Sequence, residues 1–245
     1  MTHFRYSIKK IFFLVTSILI SQASYPQSEM KDATGTWLVI GGNHQITEKW
    51  KIPTVGIIRY YNLSEATEFG FFRTGLTYAP NSNYNFTLGA AYLDTQPFDH
   101  NEFETLTTQK WIYEEFCYNS NFYRTKISQR MRLEQRWISK PEESIFNARL
   151  RYRLQFKRKV SKNLYVKAFD EPFFNLKEGN INQNRFYVGL GRKVAHNINV
   201  EIGYTKNHIG KNNYDRIRMV FLFKTKLFKK NSDQATQIDE LRNSQ

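Results

Sequence analysis

The sequence predicts an all-β protein: an antiparallel up-and-down transmembrane β-barrel of ten to twelve strands behind a cleaved signal peptide. Three observations predict it. Side chains alternate polar and apolar over long stretches, turn signals recur every 10 to 15 residues, and the connections alternate between short and long. The alternation is clearest where Arg149, Arg151, Arg153, Gln155, Lys157 and Lys159 take one parity and Leu150, Tyr152, Leu154 and Phe156 the other. A strand sends successive side chains to opposite faces, so this segment has one basic and one apolar face. Arg130, Arg132, Glu134 and Arg136 repeat the pattern against Met131, Leu133 and Trp137, with Gln135 the polar exception. A soluble antiparallel sheet turns the apolar face inward. A membrane barrel turns it toward lipid and keeps the polar face in the lumen.

The N-terminus carries an export signal. Arg5, Lys9 and Lys10 precede an apolar run from Ile11 to Ile20, and Ser21-Gln22-Ala23 offers small residues for cleavage. That run is too short to span a bilayer as a helix. No cysteine stands near the cleavage point, which excludes a bacterial lipoprotein anchor. Cys117 is the sole cysteine, so an internal disulfide and a cysteine metal cluster are both excluded. The chain divides into a signal peptide (1–23), a short lead (24–33), the barrel (34–228) and a polar C-terminal tail (229–245).

Mean hydropathy is −0.60, which taken alone reads as soluble. Membrane barrels escape such averages because half of each strand is polar. Aromatic residues make up 16% of the chain, with 20 Phe and 15 Tyr, a content that suits a sheet with interfacial girdles. Net charge is +14; Arg5, Lys9 and Lys10 leave with the signal, which holds no acid, so +11 stays with the exported chain. The basic residues are spread over many strands rather than gathered on one helix or loop. Together with export, this argues against nucleic acid and favours anionic lipid headgroups or a small anionic solute as partners.

The predicted strands lie near 36–45, 49–61, 69–79, 84–93, 109–118, 122–138, 145–159, 163–174, 184–194, 198–207 and 215–227. Short turns are expected at Thr47-Glu48-Lys49, Pro80-Asn81-Ser82-Asn83, Asn119-Ser120-Asn121, Ser161-Lys162-Asn163 and Ala195-His196-Asn197. Longer connections are expected at 62–68, 94–108, 139–144, 175–183 and 208–214. Sorting of loops by end is the layout of outer-membrane barrels. Eleven strands conflict with the even number usual in bacterial barrels, which points to ten or twelve. The last strand sets Ile217, Met219, Phe221 and Phe223 against Arg216 and Arg218. Such an aromatic terminal strand is similar to the signal read by barrel-assembly machinery.

Arginine on the lipid face would cost about 2–4 kcal/mol at the midplane, so in a membrane barrel the basic face points inward. The candidate lumen charge network is then Arg73, Arg130, Arg132, Glu134, Arg136, Arg149, Arg151, Arg153, Asp170, Glu171, Arg185 and Glu201, with Glu114 a further candidate counter-charge. Such charges either pair and plug the barrel or line an open, anion-preferring interior. Trp37, Trp50, Trp111 and Trp137 fall near predicted strand ends and suit interfacial anchors.

No catalytic residue, metal ligand set or cofactor is expected. The sequence contains no Gly-x-Ser-x-Gly and no His-Glu-x-x-His. His44, His100, His196 and His208 read as solvated turn residues. Glu114-Glu115 and Asp170-Glu171 are adjacent couplets, which a strand splits between its faces.

Several ordered blocks carry a family resemblance: Gly35-Thr36-Trp37-Leu38, Phe72-Arg73-Thr74-Gly75-Leu76, Arg132 to Trp137, Ala168 to Glu171 with Phe173-Phe174-Asn175, and Gln183 to Gly191. Over about 34 to 225 the chain resembles the bacterial exported proteins labelled domain of unknown function 2490 (DUF2490). The resemblance implies an outer-membrane β-barrel of Gram-negative bacteria, Bacteroidota especially, and assigns no activity. The expectation is a non-enzymatic outer-membrane barrel with an Arg-rich lumen, acting as a small channel, a solute- or lipid-binding barrel or a structural component. The alternatives are an outer-membrane lipid-modifying enzyme and a soluble periplasmic ligand-binding barrel.

Overall fold

Eleven long strands close on themselves in a computed structural model of the chain, which describes residues 34–61, 67–95, 98–99, 102–103 and 107–228. In chain order the elements are β1 (Gly35–Gln45), β2 (Trp50–Tyr60), β3 (Thr67–Tyr78), β4 (Tyr84–Thr95), the short β5 (Phe98–Asp99) and β6 (Glu102–Phe103), β7 (Thr107–Phe122), β8 (Thr125–Ser139), β9 (Ser144–Lys159), β10 (Leu164–Asn175), β11 (Asn180–Lys193), β12 (Ile198–Ile209) and β13 (Asn212–Lys226). Every regular element among the described residues is a strand. The predicted signal peptide, the lead, His100 and the tail from 229 onward lie outside the described residues.

Each barrel strand pairs antiparallel with its neighbour in the chain, and β4 pairs directly with β7. β5 and β6 make a separate small hairpin on that connection. The barrel closes differently. β1 and β13 run parallel, from Gly35 opposite Arg216 to Gln45 opposite Lys226. This corrects the expectation of antiparallel pairing throughout and of an even strand count. An odd number of alternating strands leaves the first and last pointing the same way, so their ladder must be parallel. As a consequence, Gly35 and Lys226 lie at opposite rims.

The loop pattern is also corrected. Asn119, Ser120 and Asn121 belong to β7, and the turn falls on Tyr123 and Arg124, with Tyr123 at φ 50°. Of the connections expected to be long, 140–143, 176–179 and 210–211 are short, because strand pairing extends into them. At 210–211 a two-residue hairpin needs left-handed backbone, and Gly210 supplies it at φ 58°.

The pleat sorts the side chains as the alternation requires. Ile40, Leu88, Leu190 and Ile202 are each more than half exposed on the outside. Arg130, Arg132, Glu134, Arg151, Glu171, Glu201 and Arg216 are buried inside. Trp50 packs on Tyr78 at 4.9 Å near one rim and Trp137 on Phe146 at 5.4 Å near the other, both Trp exposed outward. Trp37 and Trp111 do not anchor an interface; their odd positions on β1 and β7 bury them in the lumen. His44 is no turn residue either. It sits in β1, 2.8 Å from Thr225 Oγ1 and 3.1 Å from Thr54 Oγ1, bridging three strands beside the seam.

Candidate functional site

The lumen is built by the inward parity of every barrel strand. Its densest part lies on β7 to β10, where Glu115, Glu134 and Glu171 meet a row of arginines. Arg149 donates to Glu134 Oε2 from Nε at 2.9 Å and Nη2 at 2.5 Å. Arg151 donates Nη1 to Glu134 Oε1 at 2.5 Å and Nη2 to Glu171 Oε1 at 2.9 Å. Arg130 pairs with Glu171 across the intervening β9 and lies 3.6 Å from Glu115, which Arg132 also holds. Arg73 and Arg185 approach this network at 3.9 Å and 3.8 Å, from Glu115 and Glu171. Side chains two residues apart on neighbouring strands share a face, so alternating Arg and Glu form a continuous lattice along the wall.

Two smaller groups add ion pairs inside the barrel. Glu201 on β12 accepts from Tyr165 Oη at 2.9 Å and pairs with Lys167, both on β10. Glu68 on β3 binds Arg59 at 2.5 Å and Arg216 at 3.2 Å. Several cations stay outside these pairs. Arg136 finds the Asn147 side-chain oxygen at 2.5 Å but no carboxylate among the described residues. Lys157 lies over the Tyr165 ring at 3.5 Å. Among the described residues Arg153 and Arg218 make ring contacts only, and the Nε of each is buried without a hydrogen-bond partner there.

These residues surround a cavity of about 580 Å³ running inside the barrel. Its wall is uneven. β8 to β10 present mostly cations, while β1 to β3 and β13 present Val39, Val55, Ile57, Phe69, Phe71, Val220 and Leu222 around Arg59, Arg73 and Arg218. Leu93 and Trp111 pack with Ala91 behind Phe69 and Phe71.

Arg73, Arg130, Arg132, Arg136, Arg149, Arg151, Arg153, Glu171, Arg185 and Glu201 all line the cavity, and Glu134 is fully buried behind its arginines. Asp170 does not join them. It is exposed on the outer face and accepts from Asn184 Nδ2 at 3.0 Å, because Glu171, its neighbour, takes the inward parity. The same sorting turns Glu114 outward and makes Glu115 the lumen carboxylate. The candidate network omitted Glu115, Arg59, Glu68, Lys167 and Arg218; strand parity finds Glu115, Arg59, Lys167 and Arg218, whereas Glu68 stands at the outward parity of β3 and turns inward only at the register shift between β2 and β3.

The fold and interior thus define a closed β-barrel with an apolar exterior and a basic, ion-paired lumen. The chain belongs to the family described as Protein of unknown function (DUF2490), whose profile matches residues 34–218. No curated protein matches it.

Proposed function

We propose that the protein is an outer-membrane β-barrel that takes small anionic solutes into its lumen and acts without catalysis. The observation that carries this reading is the sense of the barrel. Large apolar side chains cover its outside, Trp50 and Trp137 stand near opposite rims, and charged residues fill the inside. That is the distribution required by a hydrocarbon exterior. Strands of 11 to 16 residues meet or exceed the roughly 9–11 needed to cross a bilayer. Inside, cations outnumber carboxylates around the cavity, which favours anion entry. Export would use the N-terminal signal, with barrel-assembly machinery inserting the chain into outer-membrane lipid.

Cell fractionation and planar bilayers test the reading together. The mature protein should sediment with outer membranes and need detergent for extraction, and the reconstituted barrel should pass anion-selective current. Release in osmotic-shock fluid, cation selectivity or silent bilayers would overturn it.

A further inference from the structure

The geometry points to a specific ligand class for this lumen: a small organic anion with an oxyanion head and an apolar body. The inference rests on the reading that the lumen admits anions and adds the chemistry that selects among them. The head site lies between Arg153 on β9 and Arg218 on β13. Both guanidiniums sit over the Phe169 ring, at 5.3 Å and 5.7 Å, and Arg218 also covers Tyr187 at 5.2 Å. Phe169 and Tyr187 are themselves stacked at 5.0 Å, so a buried aromatic pair props the two cations against the cavity. Neither Arg has a carboxylate partner among the described residues, unlike Arg130, Arg149 and Arg151 on the same wall. Two guanidinium forks that line the cavity without a carboxylate partner suit a carboxylate or similar oxyanion.

The body site is continuous with the head site. Trp37 is the register partner of both Arg218 and Arg59, and one step along the strands the same three lanes carry Val39, Val220 and Ile57. Phe71 is the next partner of Ile57. These four side chains line the same cavity as Arg153 and Arg218. A passage for inorganic ions has no use for an apolar wall there, since water and simple anions gain nothing from it. An alkyl or aryl group gains in proportion to the apolar area it covers.

Isothermal titration of the purified full-length barrel in non-ionic detergent, using hexanoate, acetate and inorganic phosphate as probes, tests the inference. Hexanoate should bind saturably, at least about tenfold more tightly than acetate. Arg153→Gln and Arg218→Gln should each weaken hexanoate by about tenfold, whereas Arg158→Gln, on the outer parity of β9, should not change it. Ile57→Thr should erase the preference for hexanoate while leaving acetate binding intact. Equal affinity for acetate and hexanoate, tighter binding of phosphate, or no saturable binding would overturn the inference. Anion-selective current with no preference for hexanoate would remove this site and keep the proposed function. Saturable hexanoate binding with silent bilayers would keep the site and remove the passage.

Discussion

Arg149 grips Glu134 through two nitrogens on a single carboxylate oxygen, between residues that face one another across β8 and β9. Arg151 takes the other oxygen of Glu134 and carries the chain of ion pairs on to Glu171. Glu134 is thus the junction of the lattice, with no exposure of its own. The arginines around it pack on rings as well: Arg149 and Arg151 lie over Phe173 at 4.7 Å and 4.3 Å. Burying so many guanidiniums is tolerable because carboxylates and aromatic faces replace part of their lost water.

Glu134→Gln should therefore destabilise the barrel by about 3 kcal/mol or more, since it leaves two buried arginines short of a counter-charge. Urea unfolding in detergent, followed by tryptophan fluorescence, gives the value. A loss under about 1 kcal/mol would mean that water already compensates these charges, as in a wide wet lumen.

The outer face distinguishes lipid from water. Ile202 is 56% exposed near the middle of β12. Ile202→Arg should cost about 2–4 kcal/mol in a bilayer-inserted barrel. The same change on a water-facing strand should stay within about 0.5 kcal/mol. Comparing unfolding free energies of wild type and variant in lipid vesicles decides between them.

Orientation can be read residue by residue on β9. On a Cys117→Ser background, single cysteines at Tyr152 and Phe156 should react with a lipid-soluble maleimide. Cysteines at Arg151 and Arg153 should resist it. The opposite pattern would turn the barrel inside out and make it a soluble one.

The parallel seam has its own signature. Leu38 and Met219 are register partners on the outer face of β1 and β13. Leu38→Cys with Met219→Cys, again without Cys117, should cross-link under mild oxidation, since neighbouring strands bring Cα atoms within disulfide reach. Cross-linking of Leu38→Cys to a cysteine at Val200 or Phe221 instead would show a different closure.

Tyr187 fills the space above Gly189 on its own strand and Gly203 on β12. A Cβ on Gly203 would stand 2.7 Å from the Tyr187 ring and 2.6 Å from the Gly189 backbone. Gly203→Ala should cost about 1–3 kcal/mol through overpacking. Gly56→Ala, which meets nothing within 4 Å, should be tolerated. Equal thermal stability of both variants would contradict this packing.

What the sequence determined by itself is local. Alternation placed all eleven barrel strands within a few residues, because the pleat acts between immediate neighbours and needs no distant partner. It also sorted Arg149, Arg151 and Arg153 from Tyr152 and Phe156 correctly. Tertiary structure decided whatever depends on remote pairing. Gly35 meets Arg216 across the whole chain, and no local pattern announces that this ladder is parallel. Loop lengths at 176–179 and 210–211 depended on how far opposing strands stay paired, as did the inclusion of Asn119 to Asn121 in β7. In Asp170-Glu171 and Glu114-Glu115 composition cannot choose the lumen carboxylate; strand parity chooses it, and burial beside arginine makes the choice visible. Trp37 and Trp111 read as anchors by position and lie inside because their lanes face inward. The contrast between a mostly cationic and a more apolar wall exists only once strands far apart in the chain, such as β2 and β9, face each other across the closed barrel.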